Sequence, residues 1–330
     1  MNQHLLYSLA AVVVLGFIGY AGGSGLPYLF GVVIPYAAMV LFFAGFAMRM
    51  LGWVKSPVPF RIPTTCGQQQ SFSWIQHSKY DNPSDTKGVL VRMLLEIFLF
   101  RSLFRNTRNE IREGKITYNL EIWLWLFGLV FHYSFLVVLV RHLRFFLEPL
   151  PAVLKVVETL DGILQIGLPG IMLSGFMLLG AVLFLFARRI LIPQVRYISL
   201  MADYFPLLLI VAIAGTGISL RYFTKVDIFT VKQMTMSLAT FSPMVPEGIG
   251  GLFYAHLFLV SVLFAYFPFS KLMHSGGIFL SPTRNLANNS RAVRHINPWN
   301  PKLKFVTYAD YEDEFREKMI EAGLPVEKKE

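Results

Sequence analysis

Apolar residues run through this chain in long blocks separated by short charged ones. No Asp, Glu, Lys or Arg occurs from Met1 to Met48, and further uncharged stretches cover 122–140, 162–187, 204–220 and 248–270. At 1.5 Å of rise per residue, each block is about long enough to cross a hydrocarbon core of roughly 30 Å as a helix. The short alternating strands of a sheet protein are not evident. The first block is too long for one crossing and is interrupted by the GGSGLP stretch at 22–27. It predicts two helices, 5–21 and 26–48, for six in all. A cleaved leader is the competing reading of 1–23, and the lack of any Lys or Arg before the apolar run weighs against it. The expected fold is an all-α integral membrane bundle of six transmembrane helices. Its parts are an additional N-terminal helix (1–24), a second helix (25–48), a basic loop (49–119), four further helices (120–274) and a tail (275–330).

The loop between the second and third helices divides in two. Its first part, KSPVPFRIPTTCGQQQSFSW, is Pro-rich and reads as extended chain. Its second part, GVLVRMLLEIFLFRSLFRNTR, is apolar but carries Arg92, Glu96, Arg101 and Arg105. Charges that frequent predict a helix lying in the membrane interface with its arginines reaching headgroups, rather than a seventh span. The tail begins with the loop-forming SPTRNLANNSRAVRHINPWNPK and ends in a short charged helix, DYEDEFREKMIEAG. Too small to bury a core, it is expected to lie along a partner.

Composition agrees with the block pattern: 55% of residues are hydrophobic and 15% charged, against about a quarter charged in soluble domains. The net charge of +10 is distributed unevenly. Lys and Arg number 11 in 49–119, 3 in 188–196 and 10 in 271–330, which six helices place on one side. The other side has Arg141, Arg144, Lys155, Arg221, Lys225 and Lys232. Cytoplasmic loops retain Lys and Arg, so the basic side is expected to be cytoplasmic, in the cell membrane, with both termini inside. The excess of positive charge is thus a topology signal before it is a sign of nucleic-acid binding. The single cysteine, Cys66, cannot form an internal disulfide, a zinc site or an iron–sulfur cluster.

Seven histidines remain to be explained. His4, His77 and His295 lie outside the spans and read as solvated. His132 sits inside the third helix and His142 ends it; His256 sits inside the sixth and His274 follows its end. A histidine within lipid is costly unless it has a partner or ligand. A hydrogen-bonded structural role suffices for any one of them, but four confined to two helices point to ligation. Imidazole is a common axial ligand of haem iron, and two per iron suit electron transfer because no coordination position stays open. No Cys-x-x-Cys-His occurs, so any haem is held non-covalently, as haem b.

Depth decides the pairing. The two helices run in opposite directions, which matches His142 with His256 toward the outer side and His132 with His274 toward the inner side. The match is imperfect, since ten residues give ~15 Å of rise and eighteen give ~27 Å. Tilt, a kink at Pro268 and a ligand beyond the regular helix end would absorb the difference. Gly128, one turn before His132, predicts a close approach of a porphyrin edge. Gly170, Gly175 and Gly180, with Gly215 and Gly217, suit either that or close helix packing. Arg189 and Arg196 inside, and Arg141 and Arg144 outside, are candidates to pair with haem propionates.

The spacing of these histidines, the stretch YAHLFLVSVLFAYFPFSKLMH and the stretch IPQVRYISLMADYFPLLLIVAIAGTGISL resemble the cytochrome b (gamma) subunit of respiratory nitrate reductase, over roughly 26–276. The segments SPVPFRIPTTCGQQQSFSWI, EIFLFRSLFRNTR and SPTRNLANNSRAVRHINPWNP resemble DsrM-type subunits of sulfate reducers, the cytochrome b-like subunits of heterodisulfide-reductase-like menaquinol oxidoreductases. That resemblance implies menaquinone as the lipid-phase substrate and DsrC-linked sulfur reduction in the cytoplasm. It also implies a complex with a DsrK-type iron–sulfur subunit of heterodisulfide-reductase type, a triheme cytochrome c, a periplasmic ferredoxin-like protein and a second membrane subunit. The gamma family places a lysine after its outer ligand, at the quinol site. The same spacing from His142 reaches Gly162, and the nearest lysine, Lys155, is the quinone-site candidate together with His142.

The expected function is electron transfer from menaquinol, oxidised at the outer site, to a cytoplasmic iron–sulfur partner, with no complete reaction by the chain alone. A transporter is the rival from another class. It would need ionisable residues around a central cavity and paired broken helices, neither of which the sequence shows. Another di-haem family, such as formate dehydrogenase gamma subunits, is the rival among redox proteins.

Overall fold

A computed structural model describes residues 3–56, 69–162, 170–294 and 305–327. Helix α1 (Gln3–Gly25) is followed almost at once by α2 (Leu29–Lys55), whose first turn, Leu29–Val33, is widened. The break expected across GGSGLP narrows to Leu26, whose N–H still bonds the Gly22 carbonyl at 2.7 Å. Pro27 falls in the following turn, where its missing N–H costs nothing.

The basic loop contains α3 (Thr86–Leu99) and the single turn α4 (Arg101–Phe104). Asp85 caps α3 by accepting the Gly88 N–H at 2.7 Å, and Phe100 ends it in a left-handed conformation, φ 49°. Leu90, Val91, Leu94 and Phe98 form its exposed apolar face, as an interfacial helix requires. Its charges, however, turn inward instead of reaching out to headgroups. Arg92 and Glu96 are buried; Glu96 accepts from the Ser102 N–H and hydroxyl and faces Arg284 at 3.9 Å. Arg101 and Arg105 both bind Asp81. Burial alone would raise the Asp81 pKa, but hydrogen bonds from Arg101, Arg105 and Ser78 more than offset it and hold the carboxyl below its ordinary range.

Strands β1 (Thr107–Arg112) and β2 (Lys115–Leu120) form an antiparallel hairpin that the block pattern did not predict. Its turn is Glu113–Gly114, both at positive φ, 52° and 75°. A two-residue turn of that hand matches the twist of the strands.

Four more spans follow. They are α5 (Ile122–His142, extended by a tight turn to Phe145), α7 (Leu173–Leu191), α9 (Met201–Ser219, continuing to Thr224) and α11 (Gly251–Tyr266, continuing to Phe269). Between them lie the shorter α6 (Ala152–Asp161), α8 (Pro193–Ile198) and α10 (Ile228–Ala239). The chain ends in α12 (His274–Leu280), α13 (Pro282–Asn285) and the expected charged helix, α14 (Tyr308–Glu321). Among the described residues six helices are long and apolar enough to cross a membrane, so the chain is an all-α multi-pass membrane protein.

The spans pack in an arc: α2 on α11, α11 on α9, α9 on α7 and α7 on α5. Helix α1 covers α11 and α9 and is thereby part of the bundle. It comes closest at Gly19 and Gly23, where an added Cβ would stand 2.9 Å from the Ala255 Cα and 2.0 Å from the Tyr254 Cβ. Small residues spaced four apart let two membrane helices pack backbone to backbone. The arc does not close: α5, at one end, is packed along neither α2, at the other, nor α11.

On the basic face, the first part of the tail lies against this chain's own loop. The Asn288 amide donates to the Asn82 side chain, the Asn288 N–H bonds the Pro83 carbonyl at 2.7 Å, and Asn289 reaches the Ser84 carbonyl at 3.0 Å. Gln69 binds Asn288 and, at 2.9 Å, Ser290. Cys66, His295 and Trp299 lie outside the described residues.

Candidate functional site

Across the open side of the arc, α5 and the α11–α12 segment present two pairs of histidines. The rings of His132 and His274 have centroids 5.9 Å apart and planes at 87°. Those of His142 and His256 are 6.4 Å apart and inclined at 22°. These are the pairs that depth alone selects from the sequence.

The mismatch in spacing is absorbed where the chain leaves α11. The helix tightens at Phe267–Phe269 around the fully buried Pro268, becomes extended at Ser270 (φ −120°, ψ 178°) and turns again at Lys271–Met273. His274 therefore opens a new helix instead of extending the old one.

Each imidazole is held by its Nδ1. That of His132 bonds the Gly128 carbonyl at 2.8 Å, that of His142 the Val138 carbonyl at 2.7 Å, and that of His274 the Lys271 carbonyl at 2.9 Å. A carbonyl only accepts, so these three Nδ1 atoms carry the proton. His256 Nδ1 lies 2.9 Å from Thr216 Oγ1, whose own proton is directed to the Ala212 carbonyl at 2.7 Å. The hydroxyl oxygen thus accepts, and His256 is protonated at Nδ1 as well. All four rings are left with an unprotonated Nε2, the lone pair a metal takes, and an oxygen acceptor at Nδ1 that fixes the ring.

This arrangement fits a group held axially between two imidazoles. A metal–imidazole bond is about 2 Å and a ring centre lies about 1.1 Å behind its nitrogen, so two axial rings are spaced roughly 6 Å apart. Among the described residues no group of three or more His, Cys, Asp or Glu is placed to hold a metal ion. Two protein donors per centre suffice when a macrocycle supplies the rest.

The surrounding residues divide. Gly217 faces the His256 ring, where a Cβ would stand 3.2 Å from Cε1, so this glycine makes room for the imidazole. Gly180 and Gly215 have no neighbour within 4 Å, and close helix packing does not account for them. Gly128 serves His132 through its carbonyl, while the space of its missing Cβ is met by Leu103 at 3.3 Å. Phe100, at the end of α3, sets its ring edge-on to His132 at 4.9 Å.

The propionate candidates are largely committed to protein carboxylates. Arg141 pairs with the buried Asp161 at 2.6 Å, Arg144 with Glu158 at 2.9 Å and Arg189 with Asp203 at 3.6 Å. Arg141 keeps one buried donor, Nε, without an acceptor, and Arg196 is exposed. Lys155 is exposed on α6. Thr216 and the turn at Lys271 were missed from sequence. Thr216 stands between the two glycines of AGTGIS, which was the only signal for it.

Residues 95–295 match the family described as nitrate reductase gamma subunit. An Archaeoglobus fulgidus protein named Hdr-like menaquinol oxidoreductase cytochrome b-like subunit is 45% identical over 280 residues, 83% of this chain and 84% of that protein. An Archaeoglobus profundus protein of the same name is 42% identical over 275 residues, 81% of this chain and 82% of that one. With six spans, and with relatives this similar over most of both lengths, the chain belongs to the nitrate reductase gamma subunit family, alongside the Hdr-like menaquinol oxidoreductase cytochrome b-like subunits.

Proposed function

We propose that this chain is the di-haem cytochrome b subunit of a menaquinol-linked oxidoreductase complex. The observation that carries the reading is the pair of facing imidazole couples, 5.9 and 6.4 Å apart, between helices that do not pack together. His142 and His256 hold the outer haem b, and His132 and His274 the inner one. Bound there, haem b supplies one-electron oxidation and reduction at its iron.

The chain itself orients four Nε2 lone pairs, two toward each face, within walls of aliphatic and aromatic side chains. The basic face, with the loop and tail folded on it, is cytoplasmic in this reading. Menaquinol is oxidised near His142 and His256, giving up two electrons and releasing two protons outside. Lys155 stands on that same side as a contact for the quinol head group. The electrons leave at the basic face to an iron–sulfur subunit of heterodisulfide-reductase type, because one cysteine cannot hold a cluster here. The further expectation is a DsrC-linked sulfur-reducing complex with a triheme cytochrome c, a periplasmic ferredoxin-like protein and a second membrane subunit.

The test is a pyridine haemochrome assay on the purified chain. The reading requires two non-covalent b-type haems per polypeptide, both six-coordinate and low-spin. One haem or none, or a c-type spectrum, overturns it.

A further inference from the structure

We propose that Asp203 is a positioning residue for the inner site: by holding Lys271, it fixes the turn whose carbonyl orients the His274 imidazole. The inference rests on the reading of His132 and His274 as a ligand pair.

His274 needs outside help because its helix begins with it. His132 and His142 lie inside α5 and bond the carbonyl one turn before them, so a regular helix fixes their rings. His274 instead takes its acceptor, the Lys271 carbonyl at 2.9 Å, from an irregular linker. Between Tyr266 and His274 that linker has only short-range bonds: Ser270 N–H to the Phe267 carbonyl at 3.2 Å, Met273 N–H to the Ser270 carbonyl at 3.4 Å, and Leu272 N–H to the Ser270 hydroxyl at 3.2 Å. Such turns do not lock a carbonyl against the bundle; tertiary contacts must.

Two do so. On one side Pro268 lies against Gly45 of α2, so closely that a Cβ there would be 2.7 Å from the proline Cβ. On the other side the Lys271 ammonium donates to Asp203 Oδ1 at 2.7 Å. Asp203 is not a mobile surface carboxylate. Its side chain is 9% exposed, its other oxygen accepts the Leu200 N–H at 3.1 Å, and Arg189 stands 3.6 Å away. Exposed ion pairs are usually worth little because both side chains must be immobilised. Here one partner is already fixed, so the ordering falls on the lysine, and the lysine transmits it to its own backbone.

A purely electrostatic role makes the opposite prediction from a positioning role, which makes the question decidable. Asp203→Asn removes a negative charge near the inner site, and Lys271→Met removes a positive one. Charge alone would shift the inner haem's potential in opposite directions and leave its retention and low-spin signal unchanged. Positioning predicts the same response from both: about ten-fold weaker haem retention at the inner site, the usual effect of losing a group that orients a ligating histidine, with a displaced low-spin signal.

The measurement is haem retention and electron paramagnetic resonance on the full-length chain in detergent, with the outer-site haem of each variant as the control for folding. Asp203→Glu keeps the carboxylate and is expected to restore retention. Lys271 is 67% exposed, so its variant tests the tie even if Asp203→Asn fails to fold. Wild-type protein with two haems, and inner-site retention and signal unchanged in Lys271→Met, overturns the inference alone. Wild-type protein without haem at the inner site overturns the ligand reading and the inference with it.

Discussion

Replacing Thr216 with valine isolates a single hydrogen bond. The two side chains have nearly the same shape, so the contact of α9 with α11 is preserved while the oxygen 2.9 Å from His256 Nδ1 disappears. The ring sits against the Gly217 position and opposite His142, beside the Ile213 carbonyl, which the Thr216 hydroxyl also approaches at 3.0 Å. Leaving a donor unsatisfied in such a place costs about 1–3 kcal/mol. At about 1.4 kcal/mol per ten-fold, this corresponds to roughly a 5- to 100-fold loss in affinity at the outer site. Losing the hydrogen-bond partner of a metal-ligating histidine has effects in a similar range, about 10–100-fold. The Thr216 hydroxyl also bonds the Ala212 carbonyl, but that carbonyl stays within a helix and loses little. The assay is haem per chain during dilution or competition with apo-myoglobin, with the two haems resolved by potential. Thr216→Val is expected to release the outer haem first and to leave the inner one at wild-type occupancy, and Thr216→Ser to behave as wild type. If Thr216→Val retained both haems with unchanged affinity, the hydroxyl would not be the acceptor and the tautomer assigned to His256 would be wrong.

Three further outcomes are expected. His142→Leu removes the outer haem and menaquinol oxidation while the inner haem remains, and His274→Leu leaves a quinol-reducible outer haem that cannot pass electrons to the iron–sulfur partner; menaquinol turnover persisting in His142→Leu would remove quinol from the outer site. Gly23→Leu forces α1 away from Tyr254, where an added Cβ would stand 2.0 Å from the tyrosine Cβ, at a cost of about 1–3 kcal/mol or more. Its thermal midpoint falls, and the outer haem is lost before the inner because Tyr254 is two residues from His256. Asp81, whose carboxyl is held below its ordinary value of about 3.9, stabilises the loop fully above that value and loses this contribution as pH falls through its lower folded value. Asp81→Asn is therefore more sensitive to proteolysis between 69 and 105 near neutral pH, and the difference closes in strong acid.

What was legible in the sequence was whatever depends on a block of residues or on depth. The six spans follow from the position of charge, and the pairing of His132 with His274 and His142 with His256 follows from helix direction. Individual side-chain directions were not legible. Arg92 and Glu96 sit at positions that suit headgroup contact equally well, and only the fold shows them buried, with Glu96 facing Arg284 of the tail. Arg141 carried no mark that Asp161, twenty residues on, would claim it. The hairpin at 107–120 was missed because a two-strand ribbon with few apolar residues has no block pattern. Its one signal was the Glu113–Gly114 pair.

The four histidines differ in what fixes them, and this sets how each responds to change. His132 and His142 take their acceptors from the turn before them in α5, so no side-chain substitution elsewhere deprives them of it while that helix stands. His256 takes its acceptor from a side chain on α9, and its orientation therefore reports how α9 packs on α11. His274 takes its acceptor from a linker held by Pro268 on α2 and by Asp203 at the start of α9. Each pair thus joins one imidazole fixed by its own helix to one fixed by tertiary packing. Both of the latter depend on α9, the helix in contact with α1, α7 and α11. A displacement of α9 would disturb one imidazole in each couple and leave its partner in place. The two sites are then coupled through a shared helix although they lie at different depths. A substitution that loosens α9 without touching any histidine is expected to weaken both haems together, whereas changes at Thr216 or Lys271 separate them.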